Sequence, residues 1–216
     1  MGMQSTTYPP RHATGLLRVV SCVARFFFLI LIGVLPVCGQ TVSTLAGPLL
    51  LPTSVTFDAQ GNLYIAETNH HVIRRLDPAG VLTTVAGSGV QGFSGDGGLA
   101  LAAELDSPAG IAVDSANDLY IADTHNHRVR KVDGVTGVIS TVAGNGSPGF
   151  GGDGGPARLA SLDLPSALAV DMSGDLYIAD TNNHRIRKVT VATGVITTVA
   201  GDGMQQFAGD GGLATA

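Results

Sequence analysis

The sequence predicts an all-β protein built from four-stranded antiparallel meanders, about three of them. Three observations carry the prediction. The first is self-similarity: "LYIAETNHHVIRRLD" from Leu63, "LYIADTHNHRVRKVD" from Leu119 and "LYIADTNNHRIRKVT" from Leu176 are variants of one phrase. The second is a fixed period. "TVAG" starts at Thr84, Thr141 and Thr198, and "GDGG" at Gly95, Gly152 and Gly209, each pair 57 residues apart. Repetition on this scale marks a repeat architecture and has to be read before any single motif. The third is composition: 30 glycines in 216 residues, 5% aromatics and no tryptophan suit short strands and tight turns.

The first 39 residues are of a different kind. Arg11, Arg18 and Arg25 are the only charges before Asp58, and "FFFLILIGVLPV" follows the last of them. That apolar run is short for a membrane span and right for the core of a signal peptide. Val37 and Gly39 are small enough to frame a cleavage after Gly39, so a leader over 1–39 is expected. A retained N-terminal anchor and a lipoprotein acylated at Cys38 are the alternatives. Cys22 and Cys38 both lie in this leader, and an exported chain without them would be held by packing alone. Loss of the leader takes three of the 12 basic residues and none of the 17 acidic ones, leaving nine against 17, a net −8. That balance argues against nucleic acid as a partner.

Over 40–216 the units run at about 48–87, 88–144 and 145–201, with a partial unit at 202–216. The second unit shows the pattern. "GIAVD", "DLYIAD", "HRVRKV" and "VISTVAG" are four candidate strands of mostly apolar and β-branched residues. The joint between the first two carries Gly61, Asn117 and Gly174 at one aligned position, residues that tolerate positive φ. Gly80, Gly137 and Gly194 mark the joint between the third and fourth. "TNH", "THN" and "TNN" join the second and third. Connections this short make neighbouring strands antiparallel. A meander with both faces apolar cannot bury itself alone. Such units stack radially as β-propeller blades.

"LYIADTNNHRIRKV" preceded by "ALAVD" resembles the NHL repeat, a family of propeller blades named for an Asn-His-Leu signature. Here the signature positions read Asn126-His127-Arg128, Asn183-His184-Arg185 and His70-His71-Val72, with the Leu replaced each time. The resemblance runs from Val42 to the C-terminus. The "GFSGDGGLA" insert is similar to longer variants of the repeat found in bacterial exported proteins and animal adhesion receptors.

The polar residues of the repeat are aligned: Glu67, Asp123 and Asp180; His71, His127 and His184; Arg74, Arg130 and Arg187. A catalytic group is needed once per site, whereas a residue present in every unit points to a task in every unit. The acid ends the second strand and the arginine lies in the third, so a cross-hairpin ion pair is expected. The histidine is expected to donate to a turn carbonyl or to that carboxylate. Asp58, Asp114 and Asp171 end the innermost strands; they are either turn-initiating residues or a ring at a channel mouth. The "GDGG" loops lack the Lys and Ser/Thr of a phosphate-binding loop. They are expected to lead into a short helix with Pro156 in its first turn and Asp96, Asp153 and Asp210 as caps, a Ca²⁺ site being the alternative. Contacts with a partner are expected at variable loop positions such as Val90-Gln91, Ser147-Pro148 and Met204-Gln205-Gln206.

Three blades make an incomplete ring, and the chain ends inside a repeat. A fragment of a longer propeller is therefore expected, with an apolar blade face and free strand edges exposed, and two copies sharing one ring as the alternative. Taken together, the residues predict an exported, non-catalytic propeller module without cofactor or catalytic residues, binding protein, peptide or glycan and not spanning a membrane after leader cleavage. The resemblance carries a second implication: a metal-dependent lyase or lactonase-like propeller enzyme, whose site would lie in further blades or in the central channel.

Overall fold

A computed structural model describes residues 49–206 and 211–215. The predicted leader, the segment "TVSTLAG" at 41–47 and Asp210 lie outside the described residues. Among the described residues twelve strands form three four-stranded antiparallel sheets, each in chain order. Blade 1 holds β1 (Pro52–Phe57), β2 (Leu63–Glu67), β3 (Val72–Leu76) and β4 (Leu82–Ala86). Blade 2 holds β5 (Pro108–Val113), β6 (Leu119–Asp123), β7 (Arg128–Val132) and β8 (Ile139–Ala143). Blade 3 holds β9 (Pro165–Val170), β10 (Leu176–Asp180), β11 (Arg185–Thr190) and β12 (Val195–Ala200). The inner strand β5 lies beside both β1 and β9, and among the described residues the ring is not closed.

Turn chemistry sets the meander. Gly61, Asn117 and Gly174 have φ of +82°, +65° and +84°, the left-handed conformation that an ordinary side chain resists. Between β2 and β3, and at the same place in each blade, a single 3₁₀ turn (Thr68–His70, Thr124–Asn126, Thr181–Asn183) ends on a left-handed histidine. The register of the third strand against the fourth slips just before Arg74, Arg130 and Arg187. A bulge of this kind re-aims a side chain, and here it falls beside the repeat arginine in every blade.

Both faces of blade 2 are buried, which is why its strands do not alternate apolar with polar. Leu119 and Ile121 pack with Tyr64, Ala66 and Ile73 of blade 1. Tyr120 and Val129, from the opposite face, pack with Leu176 and Ile178 of blade 3. Hydroxyls cross the same seams: Thr68 Oγ1 donates to the Pro108 carbonyl (2.9 Å) and Thr124 Oγ1 to that of Pro165 (2.8 Å).

The inserts differ from the expectation. After "GDGG" the first two inserts each form only a three-residue 3₁₀ turn, Ala100–Ala102 and Ala157–Leu159, and no side chain caps either. Pro156 precedes the second turn in extended conformation and is not part of it. Asp96 and Asp153 are therefore not caps. The reason is that the insert spends its backbone on a strand edge. Gly97 N–H donates to the Ile139 carbonyl (2.8 Å), Ile139 N–H donates to that of Gly98 (2.9 Å), and Ala100 N–H donates to that of Gly137 (2.9 Å). Gly154, Gly155 and Ala157 repeat this against Ile196 and Gly194. Each insert thus leaves the outer strand of one blade and covers the outer edge of the next, where an open edge would invite further pairing.

Candidate functional site

The polar residues of the repeat converge on the junction of insert, turn and third strand. In blade 2 the Arg130 guanidinium is fully buried. Its Nη1 donates to Asp123 Oδ2 (3.2 Å), Nε and Nη2 donate to Asp96 Oδ1 (3.1 and 2.8 Å), and Nη2 also reaches the Ser94 carbonyl (3.0 Å). Asp123 is also fully buried, and its Oδ1 accepts the Asp106 N–H (2.7 Å) and Asn126 Nδ2 (2.9 Å). Asn126 Nδ2 reaches the Gly92 carbonyl too (2.7 Å). Burial pushes the Asp123 carboxyl above its ordinary value, against the Asp106 amide, Asn126 and Arg130. With Arg130 clamped across it and no exposure to solvent, this carboxylate has no route for a substrate.

Blade 3 reproduces the arrangement. Arg187 Nη1 donates to Asp180 Oδ2 (3.2 Å), Nε and Nη2 donate to Asp153 Oδ1 (3.0 and 2.6 Å), and Nη2 reaches the Gly151 carbonyl (3.1 Å). Asn183 Nδ2 joins Asp180 (2.9 Å) to the Gly149 carbonyl (2.8 Å). Blade 1 holds a weaker version. Arg74 Nη1 lies 3.6 Å from Glu67 Oε1 with its side chain 26% exposed, and Arg74 Nε and Glu67 Oε1 have no hydrogen-bond partner among the described residues.

The histidines take a role other than the expected one. His71 Nδ1 accepts the Ser107 N–H (3.1 Å) and His127 Nδ1 accepts the Leu164 N–H (3.3 Å), each from the residue that leads into the next blade's inner strand. Ser107 and Leu164 have φ of +52° and +48°, so the ring holds a strained backbone in place. Nδ1 of each ring thus takes an N–H from across the seam and not from its own hairpin, and a carboxylate of that same segment lies nearby, Asp106 Oδ1 3.9 Å from His71 Nδ1 and Asp163 Oδ1 3.4 Å from His127 Nδ1. His184 occupies the same left-handed turn position in blade 3.

Asp58, Asp114 and Asp171 form no ring of free carboxylates. Each Oδ1 accepts two backbone N–H groups of the following turn, and each Oδ2 accepts a tyrosine hydroxyl from the second strand: Tyr64 at 3.3 Å, Tyr120 at 3.2 Å and Tyr177 at 3.2 Å. As for Ca²⁺, one oxygen of Asp96 and of Asp153 already accepts two guanidinium N–H bonds, and Asp153 Oδ2 accepts the Thr198 N–H (3.1 Å). Among the described residues no group of three or more His, Cys, Asp or Glu is placed to hold a metal. None of the helices among them is long and apolar enough to cross a membrane.

Two aromatic residues escaped the sequence reading. Phe93 lies 3.9 Å from Arg128 and 4.8 Å from Arg130, measured from guanidinium carbon to ring centroid, and Phe150 lies 3.9 and 4.9 Å from Arg185 and Arg187. The signal was present in the sequence. The unit with Val72 in place of that first arginine is also the unit whose "TVAG" follows its predecessor "STLAG" by 40 residues and not 57, with no insert between.

The comparisons agree with this geometry. The family model of the NHL repeat matches residues 105–132 and 162–189, which run from the end of each insert through the third strand of blades 2 and 3. The chain carries NHL repeats at these two positions, and each belongs to a four-stranded antiparallel blade of propeller type. Protein SUPPRESSOR OF QUENCHING 1, chloroplastic, from Arabidopsis thaliana is 33% identical over 138 residues, 61% of this chain and 13% of that protein. NHL repeat-containing protein 2 from Gallus gallus is 41% identical over 112 residues, 50% of this chain and 15% of that protein. The chain thus spans 13 to 15% of the length of these two relatives. A Bacteroides thetaiotaomicron structural-genomics protein of unknown function has a similar structure: TM-score 0.56, 27% identity, 63% of this chain and 34% of that one. An auxiliary nutrient binding protein from Bacteroides ovatus is similar with TM-score 0.51 and 26% identity, over 67% of this chain and 36% of that one.

Proposed function

We propose that the chain is an exported, non-catalytic binding module that takes a protein, peptide or glycan. The observation that carries this is the fate of the charged repeat residues: Asp123, Arg130, Asp180 and Arg187 are fully buried and bonded to one another and to the inserts. They fasten blades and are not presented to a substrate, so recognition falls to the variable loops and the blade seams. The likeness to an auxiliary nutrient binding protein supports binding as the task. The basic, apolar and small-residue order of 1–39 supports export, and the acidic balance of the remainder speaks against nucleic acid. The test is a paired screen of the purified chain against peptide and glycan panels for saturable binding, and against lyase and lactone substrates with and without added divalent metal. Binding without turnover is expected. Turnover that is lost when a carboxylate or histidine of the chain is replaced overturns the reading.

A further inference from the structure

Both blade seams hold a cavity on the same side, and the two are built from aligned residues. The first, of about 400 Å³, is lined by Tyr64, Arg75, Leu119 and Val132 together with the acids Asp58 and Asp133. The second, of about 420 Å³, is lined by the corresponding Tyr120, Lys131, Leu176 and Val189. Both fall in the range of roughly 300–1,000 Å³ of small-molecule sites.

Among the aligned positions that differ between the two seams, three change charge or bulk in favour of an anionic ligand with an apolar body. Leu101 of the first is Arg158 in the second, Asp133 is replaced by Thr190, and Gly134 becomes Val191. The second cavity therefore gains a cation, has no carboxylate among its lining residues and acquires an extra apolar wall. Its two cations are not alike. Lys131 is already paired with Asp118, whereas Arg158 has no ion pair among the described residues.

We propose that the seam between blades 2 and 3 binds a small organic carboxylate with an apolar body, its acid group on Arg158 and its body against Leu176, Val189 and Val191. A guanidinium without a partner offers two parallel N–H bonds that match a carboxylate. The apolar wall selects against a bare inorganic ion. This proposal deepens the reading of the chain as a binding module and rests on it.

The test is calorimetric titration of the full chain with phenylacetate, phenylacetamide and sulfate. Phenylacetate is expected to saturate one site, with the amide and sulfate binding roughly tenfold or more weakly, the effect of losing a charge-assisted hydrogen bond or the apolar contact. Arg158→Ala is expected to weaken phenylacetate by a similar factor, with its thermal midpoint recorded beside that of the parent chain. Arg158 is exposed, so its replacement leaves the fold intact. Equal binding of acid and amide, binding of sulfate as tight as phenylacetate, an unchanged Arg158→Ala variant, or no saturation by phenylacetate would each overturn the proposal. If any of these is found while peptide or glycan binding persists, this site falls and the module reading stands. Turnover in the substrate screen would remove the module reading itself.

Discussion

The same arginine does unequal work in different blades. Arg130 and Arg187 are fully enclosed and each bonded to two carboxylates, with one carbonyl accepting from Arg130 and two from Arg187, whereas Arg74 meets one carboxylate at 3.6 Å and stays partly exposed. Removing one member of a buried pair strands the other, at about 3–5 kcal/mol. An exposed pair is worth about 1 kcal/mol or less. Arg130→Met is therefore expected to lower the denaturant midpoint far more than Arg74→Met, and equal losses would show that the insert aspartate adds nothing. Asp153 makes the complementary point through pH. Burial pushes its carboxyl up, but the bonds from Thr198 and Arg187 outweigh that and hold it below its ordinary value near 3.8. Its folded pKa is thus lower than its unfolded one, so its contribution is present above the ordinary value and is lost as pH falls toward the lowered one. Denaturant midpoints recorded between about pH 6 and about pH 3 should fall less steeply for Asp153→Asn than for the parent chain. Matching slopes would exclude Asp153 from the acid limb.

The insert is the element that distinguishes this repeat from a bare meander. Its glycines let the backbone run along the outer edge of the next blade, and its Phe and Asp reach inward to two arginines of that blade. Stacking of a guanidinium on an aromatic face is worth roughly 0.5–1 kcal/mol at an exposed site and about 2 when desolvated. A double-mutant cycle between Phe150→Leu and Arg185→Met is expected to return a coupling of about 1 kcal/mol. Zero coupling would mean that Phe150 acts by apolar burial alone. The insert also accounts for the failed expectation of a capped helix: the carboxylate that would have capped a turn is drawn to a guanidinium, where it gains a charge-assisted bond in place of a neutral one.

At the scale of the whole molecule the blades are held at three depths. Outside, the inserts cross from one blade to the next; in the middle, apolar side chains fill the seams; at the inner strands, backbones approach closely. Gly110 on β5 is the clearest case of the last. A Cβ there would lie 2.6 Å from the Ser166 carbonyl oxygen and 2.7 Å from Ala167 Cα, both on β9. Gly110→Ala is expected to wedge these inner strands apart at a cost of about 1–3 kcal/mol, read as a lower thermal midpoint. An unchanged midpoint would show that the seam is slack at that depth.

Periodicity, glycine positions and strand words determined the blade by themselves. The meander order, the left-handed joints at Gly61, Asn117 and Gly174 and the neighbourhood of Glu/Asp with Arg across one hairpin all follow from local spacing, because short connections and a two-residue side-chain period leave few alternatives. What joins one blade to the next was decided only by the tertiary structure. The histidine's acceptance of an N–H from the following blade, the capture of Asp96 by Arg130 and of Asp153 by Arg187, and the covering of β8 and β12 by the inserts link residues 34 or more positions apart. Their geometry depends on how two blades twist against each other. Likewise Arg158 is an unremarkable surface residue in the sequence. It becomes a candidate ligand contact only when stacking opens a cavity beneath it and the repeat supplies Leu101 in the aligned place for comparison.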